Sequence, residues 1–170
     1  MHTTVLEWIV LNIDETDVRG KSVLEVGSRN INGTARKIIE RMKPKSYLGF
    51  DYMPGEGVDE VWDARYLSEK FGENSFDVVL STEMLEYVDD WRKVITEMKR
   101  VLRPDGILII TTRSPGFPYH GFPYDFWRYT LEDFKIIFSD FIILVLSQDD
   151  PQSPGVMMKA KNRSISRCAI

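Results

Sequence analysis

Short apolar runs and amphipathic stretches alternate along this chain from end to end. Val23–Val26, Tyr47–Asp51, Val58–Asp63, Phe76–Ser81 and Gly106–Thr112 predict strands, and Phe76–Ser81 is apolar on both faces. Between them the spacing changes to that of a helix. After Gly33, residues Ala35, Ile38, Ile39 and Met42 make an inner stripe that Pro44 ends. The clearest helix spans Asp89–Leu102: Trp91, Val94, Ile95, Met98, Val101 and Leu102 share a face, and Arg92, Lys93, Glu97, Lys99 and Arg100 cover the outside. At the N-terminus (residues 1–20), Thr4 and Glu7 predict a capping box for a helix whose apolar face is Leu6, Ile9, Val10 and Ile13. A short helical piece follows at Ala64–Phe71, and Arg103–Gly106 predicts a turn. A last helix opens at Thr130 with Asp133, turning Phe134, Ile137 and Phe138 inward. Two late strands, Phe141–Ser147 and Val156–Lys161, flank the breaker run 149–155.

Unbroken apolar strands alternating with amphipathic helices predict an α/β fold: a doubly wound, mostly parallel sheet covered on both faces. Seven strands are expected. The last two have no helix between them and can close the sheet as an antiparallel hairpin. The 170 residues suit a single domain with a substantial core.

Composition narrows the function classes. Hydrophobic residues make up 43% and charged residues 28%, as in ordinary globular proteins. Net charge is −4, and the four bases from Lys159 onward (residues 159–170, a basic tail expected to be solvated) leave −8 on residues 1–158. An acidic body fits a nucleic-acid partner poorly, because phosphate binding needs clustered Lys and Arg. Cys168 is the only cysteine, so no internal disulfide and no cysteine metal cluster is expected, and no His, Cys or carboxylate set has metal-ligand spacing. The longest apolar stretch, Ile136–Leu146, contains Ser139 and Asp140 and is too short to span a bilayer; no basic leader precedes an apolar run. A cytoplasmic monomer or homodimer is the expectation.

The chemistry concentrates at predicted strand ends. Ser22–Gly33 runs from an apolar strand through a glycine turn into a helix, where free backbone N–H groups can meet a nucleotide-type cofactor. Asp51 ends the next strand 24 residues after Gly27, near the separation at which a carboxylate reaches ribose hydroxyls. With Glu25, Asp63 and Glu83 it makes four carboxylates at or just beyond consecutive strand C-termini, the edge where open α/β sheets bind ligands. No Gly-x-Gly-x-x-Gly is present, which argues against a dinucleotide oxidoreductase.

From Ser22 to Phe138 the sequence resembles the class I S-adenosylmethionine-dependent methyltransferases, especially the type 11 methyltransferase domains, which have a Rossmann-like fold. Val23-Leu-Glu25-Val-Gly27-Ser28, Phe50-Asp51, Asp63-Ala64, Phe76–Val88 and Val101–Thr112 match the family's motifs in order. The resemblance implies S-adenosylmethionine as cofactor and S-adenosylhomocysteine as product. It implies that Gly27, Ser28 and Arg29 form the turn and that Glu25 anchors the methionine part. By the same likeness Asp51 accepts from both ribose hydroxyls, with Tyr52 and Met53 flanking the adenine. Asp63 and the Ala64 backbone would meet the adenine amino group, and Ser81 and Glu83 would line the crevice. Two positions depart from the family: Gly27-Ser-Arg29 replaces Gly-x-Gly, and Glu86-Tyr87 replaces a frequent Glu-His pair.

Residues Arg113–Thr130 follow the fifth strand with three prolines, two glycines and seven aromatic side chains, as an ordered loop would. It offers apolar walls for an acceptor, and His120 is a candidate catalytic general base. The expected activity is methyl transfer to an oxygen or nitrogen of a small-molecule, sugar or lipid-type acceptor. The alternatives are a non-catalytic cofactor-binding or regulatory protein of the same fold and, less favoured, an NAD(P)-dependent oxidoreductase.

Overall fold

A computed structural model describes residues 2–121 and 124–163. One sheet holds seven strands: β1 (Ser22–Val26), β2 (Ser46–Asp51), β3 (Glu60–Val61), β4 (Phe76–Thr82), β5 (Leu102–Arg113), β6 (Phe141–Gln148) and β7 (Gly155–Asn162). Their order is β3-β2-β1-β4-β5-β7-β6. The first five pair in parallel, and β7 inserts antiparallel between β5 and β6. The expected α/β architecture and its terminal hairpin are present. The order reverses at β1 and β4, which opens a crevice at their C-terminal ends.

Helices α1 (Thr3–Asn12), α2 (Glu15–Val18), α3 (Arg36–Arg41), α4 (Leu67–Phe71), α5 (Trp91–Val101) and α6 (Leu131–Ile137) cover the two faces. One core layer joins Leu24, Val79, Leu108 and Met158 to α5 and α6 through Ile95, Met98, Phe134 and Phe138. The other joins Val23, Val78, Leu80 and Ile109 to α1 and α3 through Val5, Ile9, Ala35 and Ile39. The Asp90 carboxylate caps α5, and Thr130 and Asp133 form the expected capping box on α6.

The structure corrects four local expectations. Helix α1 has no Thr4–Glu7 box: the Thr4 hydroxyl donates to Asp149 (3.1 Å) instead. Its buried face is Val5, Trp8 and Ile9, while Val10 stands exposed, because the Trp8 indole N–H donates to Ser147 on β6 (2.7 Å) and fixes the rotation. Arg103–Gly106 is a bulge inside β5, with Asp105 at φ +62°. Lys159 is no solvated tail residue. It lies buried in β7 and pairs with Asp17 (2.6 Å), so burial of its long stem is matched by a partner charge. Cys168 lies outside the described residues.

Candidate active site

A cavity of about 680 Å³ opens at the C-terminal ends of β1, β2 and β4. Strand β1 delivers Glu25 to its floor. Among the described residues only the Tyr47 hydroxyl donates to that carboxyl (2.6 Å), and burial pushes its pKa up to about 7. Gly27 then turns the chain at φ +81°, and a side chain there would collide with Met84, whose Cγ would lie 2.5 Å from the added Cβ. The Gly27 and Ser28 amides both donate to Phe50 O, which ties the turn to β2. At the tip of β2, Asp51 accepts from the backbone N–H of Met53 (3.0 Å) and Arg29 (3.3 Å), leaving carboxylate lone pairs toward the cavity.

Asp63 lines the same cavity, where it caps a 3-10 turn at Ala64–Tyr66. Its hydrogen bonds with Arg65 hold its pKa below the usual carboxylate range. Glu83, at φ +54°, turns the end of β4 so that its carboxylate meets Arg113 and the Thr111 hydroxyl (3.2 Å). Arg113 is fully buried and also reaches Asp149 (3.2 Å). These cavity acids form a surround suited to a cation. The buried Ser28 hydroxyl, which has no hydrogen-bond partner among the described residues, adds a polar contact for a ligand.

The opposite wall comes from the loop after β5. Its backbone is clamped to residues 85–88: Phe126 N–H donates to Glu86 O (2.7 Å), and the Trp127 indole donates to Val88 O (2.8 Å). The loop sets His120 Nε2 2.5 Å from the Tyr87 hydroxyl and Nδ1 3.2 Å from Asp125. Arg128 clasps Asp125 and holds its pKa down to about 2. Beneath the clamp Glu86 is fully buried and accepts from the Thr112 hydroxyl (2.7 Å); burial pushes its pKa up to about 7.

Residues 32–110 match the family model of a methyltransferase domain. That match covers just under half of the chain. The chain is 27% identical over 145 residues to a fatty-acid O-methyltransferase of Mycolicibacterium smegmatis (79% of this chain, 48% of that protein). It is 35% identical over 104 residues to a phthiotriol/phenolphthiotriol dimycocerosates methyltransferase of Mycobacterium tuberculosis (54% and 37%). The chain thus spans half or less of the length of these curated relatives. A solved Burkholderia thailandensis 1,6-didemethyltoxoflavin-N1-methyltransferase, with S-adenosylhomocysteine bound, shares the fold at a TM-score of 0.67 and 16% identity (86% of this chain, 72% of that one). The family match begins beyond the β1 turn, so the case for Glu25 and Gly27 rests on their place in the cavity.

Most residues expected from sequence converge in this cavity: Glu25, Gly27, Ser28, Arg29, Asp51, Tyr52, Asp63, Ala64, Glu83 and His120 all line it. Three others do not. Ser81 is buried within β4, and the neighbouring Thr82 reaches the cavity instead. Met53 contributes its amide to Asp51 and its thioether to Arg29 (3.6 Å). Trp127, expected in the acceptor wall, anchors the loop to Val88. Arg29, in place of the family's glycine, lays its stem against Gly55. Sequence reasoning did not place Met84 and Tyr87 in the wall, whereas Tyr124 and Phe126 lie in the loop expected to form it. The signal for Tyr87 was its departure from the family's Glu-His pair.

No group of three or more possible metal ligands, and no helix long and apolar enough to cross a membrane, occurs among the described residues.

Proposed function

We propose that this domain binds S-adenosylmethionine along β1 and β2 and catalyses transfer of its methyl to an acceptor oxygen or nitrogen held under the 114–129 loop. The observation that carries the reading is one cavity with Glu25 and Asp51 on one wall and the Tyr87–His120 pair on the other. Bound S-adenosylmethionine supplies an electrophilic methyl on a sulfonium sulfur. The protein's part is to hold donor and acceptor in line, exclude water and take up the acceptor's proton. Asp51 accepts from the ribose hydroxyls, and Glu25 meets the ammonium of the methionine part. His120 is the base, and the rim aromatics Tyr124 and Phe126 shield the reaction from solvent.

The relatives' printed substrates, fatty acids and phthiotriol lipids, favour a small apolar acceptor over a macromolecule. Thermal unfolding tests the reading. S-adenosylhomocysteine and S-adenosylmethionine should each raise Tm, and NAD and NADP should not, since a ligand that binds only the native state stabilises it. A shift with NAD alone would reject methyl transfer.

A further inference from the structure

The acceptor wall is an ordered chain of four groups rather than a lone histidine. Asp125, clasped by Arg128, is ionised and can only accept hydrogen bonds. It takes the His120 backbone N–H (3.0 Å) and faces Nδ1 (3.2 Å), so Nδ1 carries the imidazole proton. Nε2 is then a lone pair, and the Tyr87 hydroxyl donates to it at 2.5 Å. That leaves the Tyr87 oxygen with free lone pairs on the cavity wall. Burial, with Glu86 and Asp125 nearby, raises the Tyr87 pKa, so the phenol stays neutral.

The surrounding charges select against an anionic acceptor. Glu83 and Asp89 line this wall, and the nearby guanidiniums are engaged: Arg128 by Asp125, and Arg113 by Glu83 and Asp149. Met84, Val88, Val94 and Phe126 supply apolar surface. A carboxylate has no proton to give, and the described guanidiniums beside Tyr87 are already paired, Arg29 lying instead with the β1 turn against Gly55. A neutral hydroxyl uses every feature.

Resting on the methyl-transfer reading above, we infer that the acceptor is a neutral hydroxyl on an apolar molecule, and that Tyr87 takes its proton while passing its own to His120. The acceptor oxygen bonds the methyl carbon, and the carbon–sulfur electron pair returns to sulfur. The acceptor's proton goes to the Tyr87 oxygen, and the Tyr87 proton goes to Nε2. Positive charge leaves sulfur and ends on an imidazolium beside Asp125. Tyr87 is therefore a catalytic residue, and Asp125 positions His120.

Three measurements test this. Matched probes 4-octylphenol, 4-octylaniline and 4-octylbenzoate, each with S-adenosylmethionine, should give methylation of the phenol at least 100-fold faster than of the other two. Tyr87→Phe and His120→Gln should each slow phenol methylation on the order of 100-fold, the scale of general base catalysis, with S-adenosylhomocysteine affinity unchanged by calorimetry. The third readout needs no turnover. The chain has two histidines, so His2→Gln leaves one imidazole, and nitrogen-15 NMR should find Nδ1 protonated, with Nε2 shifted by Tyr87→Phe. A protonated Nε2, faster reaction of the benzoate or aniline, an active Tyr87→Phe variant, or a protein that binds S-adenosylhomocysteine yet methylates no hydroxyl would each overturn the inference. Failure of the wild type to bind S-adenosylhomocysteine would instead overturn the reading it rests on.

Discussion

Glu25 is the deeply buried cavity acid whose carboxyl meets no cation at contact distance among the described residues. It is 2% exposed, its one hydrogen-bond donor is the neutral Tyr47 hydroxyl, and its pKa of about 7 leaves roughly half the molecules protonated at pH 7. A ligand ammonium seated there favours the ionised form. Binding of S-adenosylhomocysteine at pH 7 should therefore release about 0.5 proton, falling to about 0.1 at pH 8, and affinity should weaken about tenfold per pH unit below 7. Calorimetry in two buffers of different ionisation enthalpy measures this directly. Glu25→Gln should abolish the release and weaken binding by about 1.5–3 kcal/mol, the cost of a lost charge-assisted hydrogen bond.

The same group acts on stability with a defined sign. A carboxyl whose folded pKa is raised from 4.5 to about 7 favours the native state fully below 4.5, and that advantage is lost as pH rises through 7. Its share is at most about 3 kcal/mol. Glu86 gives a second fall over the same window. Glu25→Gln should thus flatten, without erasing, the decline in unfolding free energy between pH 4.5 and 7. Tight binding with no proton release at pH 7, or a Glu25→Gln variant of wild-type affinity, would refute the assignment.

Other substitutions probe the neighbouring parts. Asp51→Asn should weaken S-adenosylhomocysteine binding about 10–100-fold by calorimetry, since an amide accepts less strongly from ribose and from the two loop amides. Gly27→Ala, strained at positive φ and pressed on Met84, should lower unfolding free energy in urea by about 1–3 kcal/mol, and Met84→Ala should restore part of it. Arg113→Met strands Glu83 and Asp149 and should cost about 3–5 kcal/mol by the same assay.

Strands and their edge were legible because burial in a parallel sheet writes itself as apolar runs, and each carboxylate then falls where its run stops. Rotation of α1 was not legible. Its sequence, Thr3–Asn12, is apolar around most of its circumference, so two stripes fit equally, and the choice is made by Trp8 and Thr4 pairing with residues more than 130 positions away. Ser81 failed for a local reason: one step along a strand reverses the side chain, and the end of β4 puts Thr82 at the cavity. The Tyr87–His120 contact joins residues 33 apart through a loop whose path follows from backbone bonds to Glu86 and Val88. Periodicity carries no record of such bonds.

The cavity's acids divide by what already holds them. Asp63 is held by Arg65, Glu83 by Arg113, and Asp51 by two backbone amides, so each is fixed before any ligand arrives. Such groups give shape and hydrogen-bond direction at little reorganisation. Glu25 differs, because burial leaves its charge only partly formed at pH 7 until a cation comes to meet it. Recognition of a cationic ligand is thereby concentrated at one buried carboxyl. In the proposed relay the other end of the cavity has the matching device in Nε2 of His120, which accepts from Tyr87 with Asp125 behind it. Removing charge from one end and accepting it at the other is what transfer from a sulfonium to a neutral hydroxyl requires. It is also why variants at the two ends should separate: Glu25→Gln in binding, Tyr87→Phe in turnover alone.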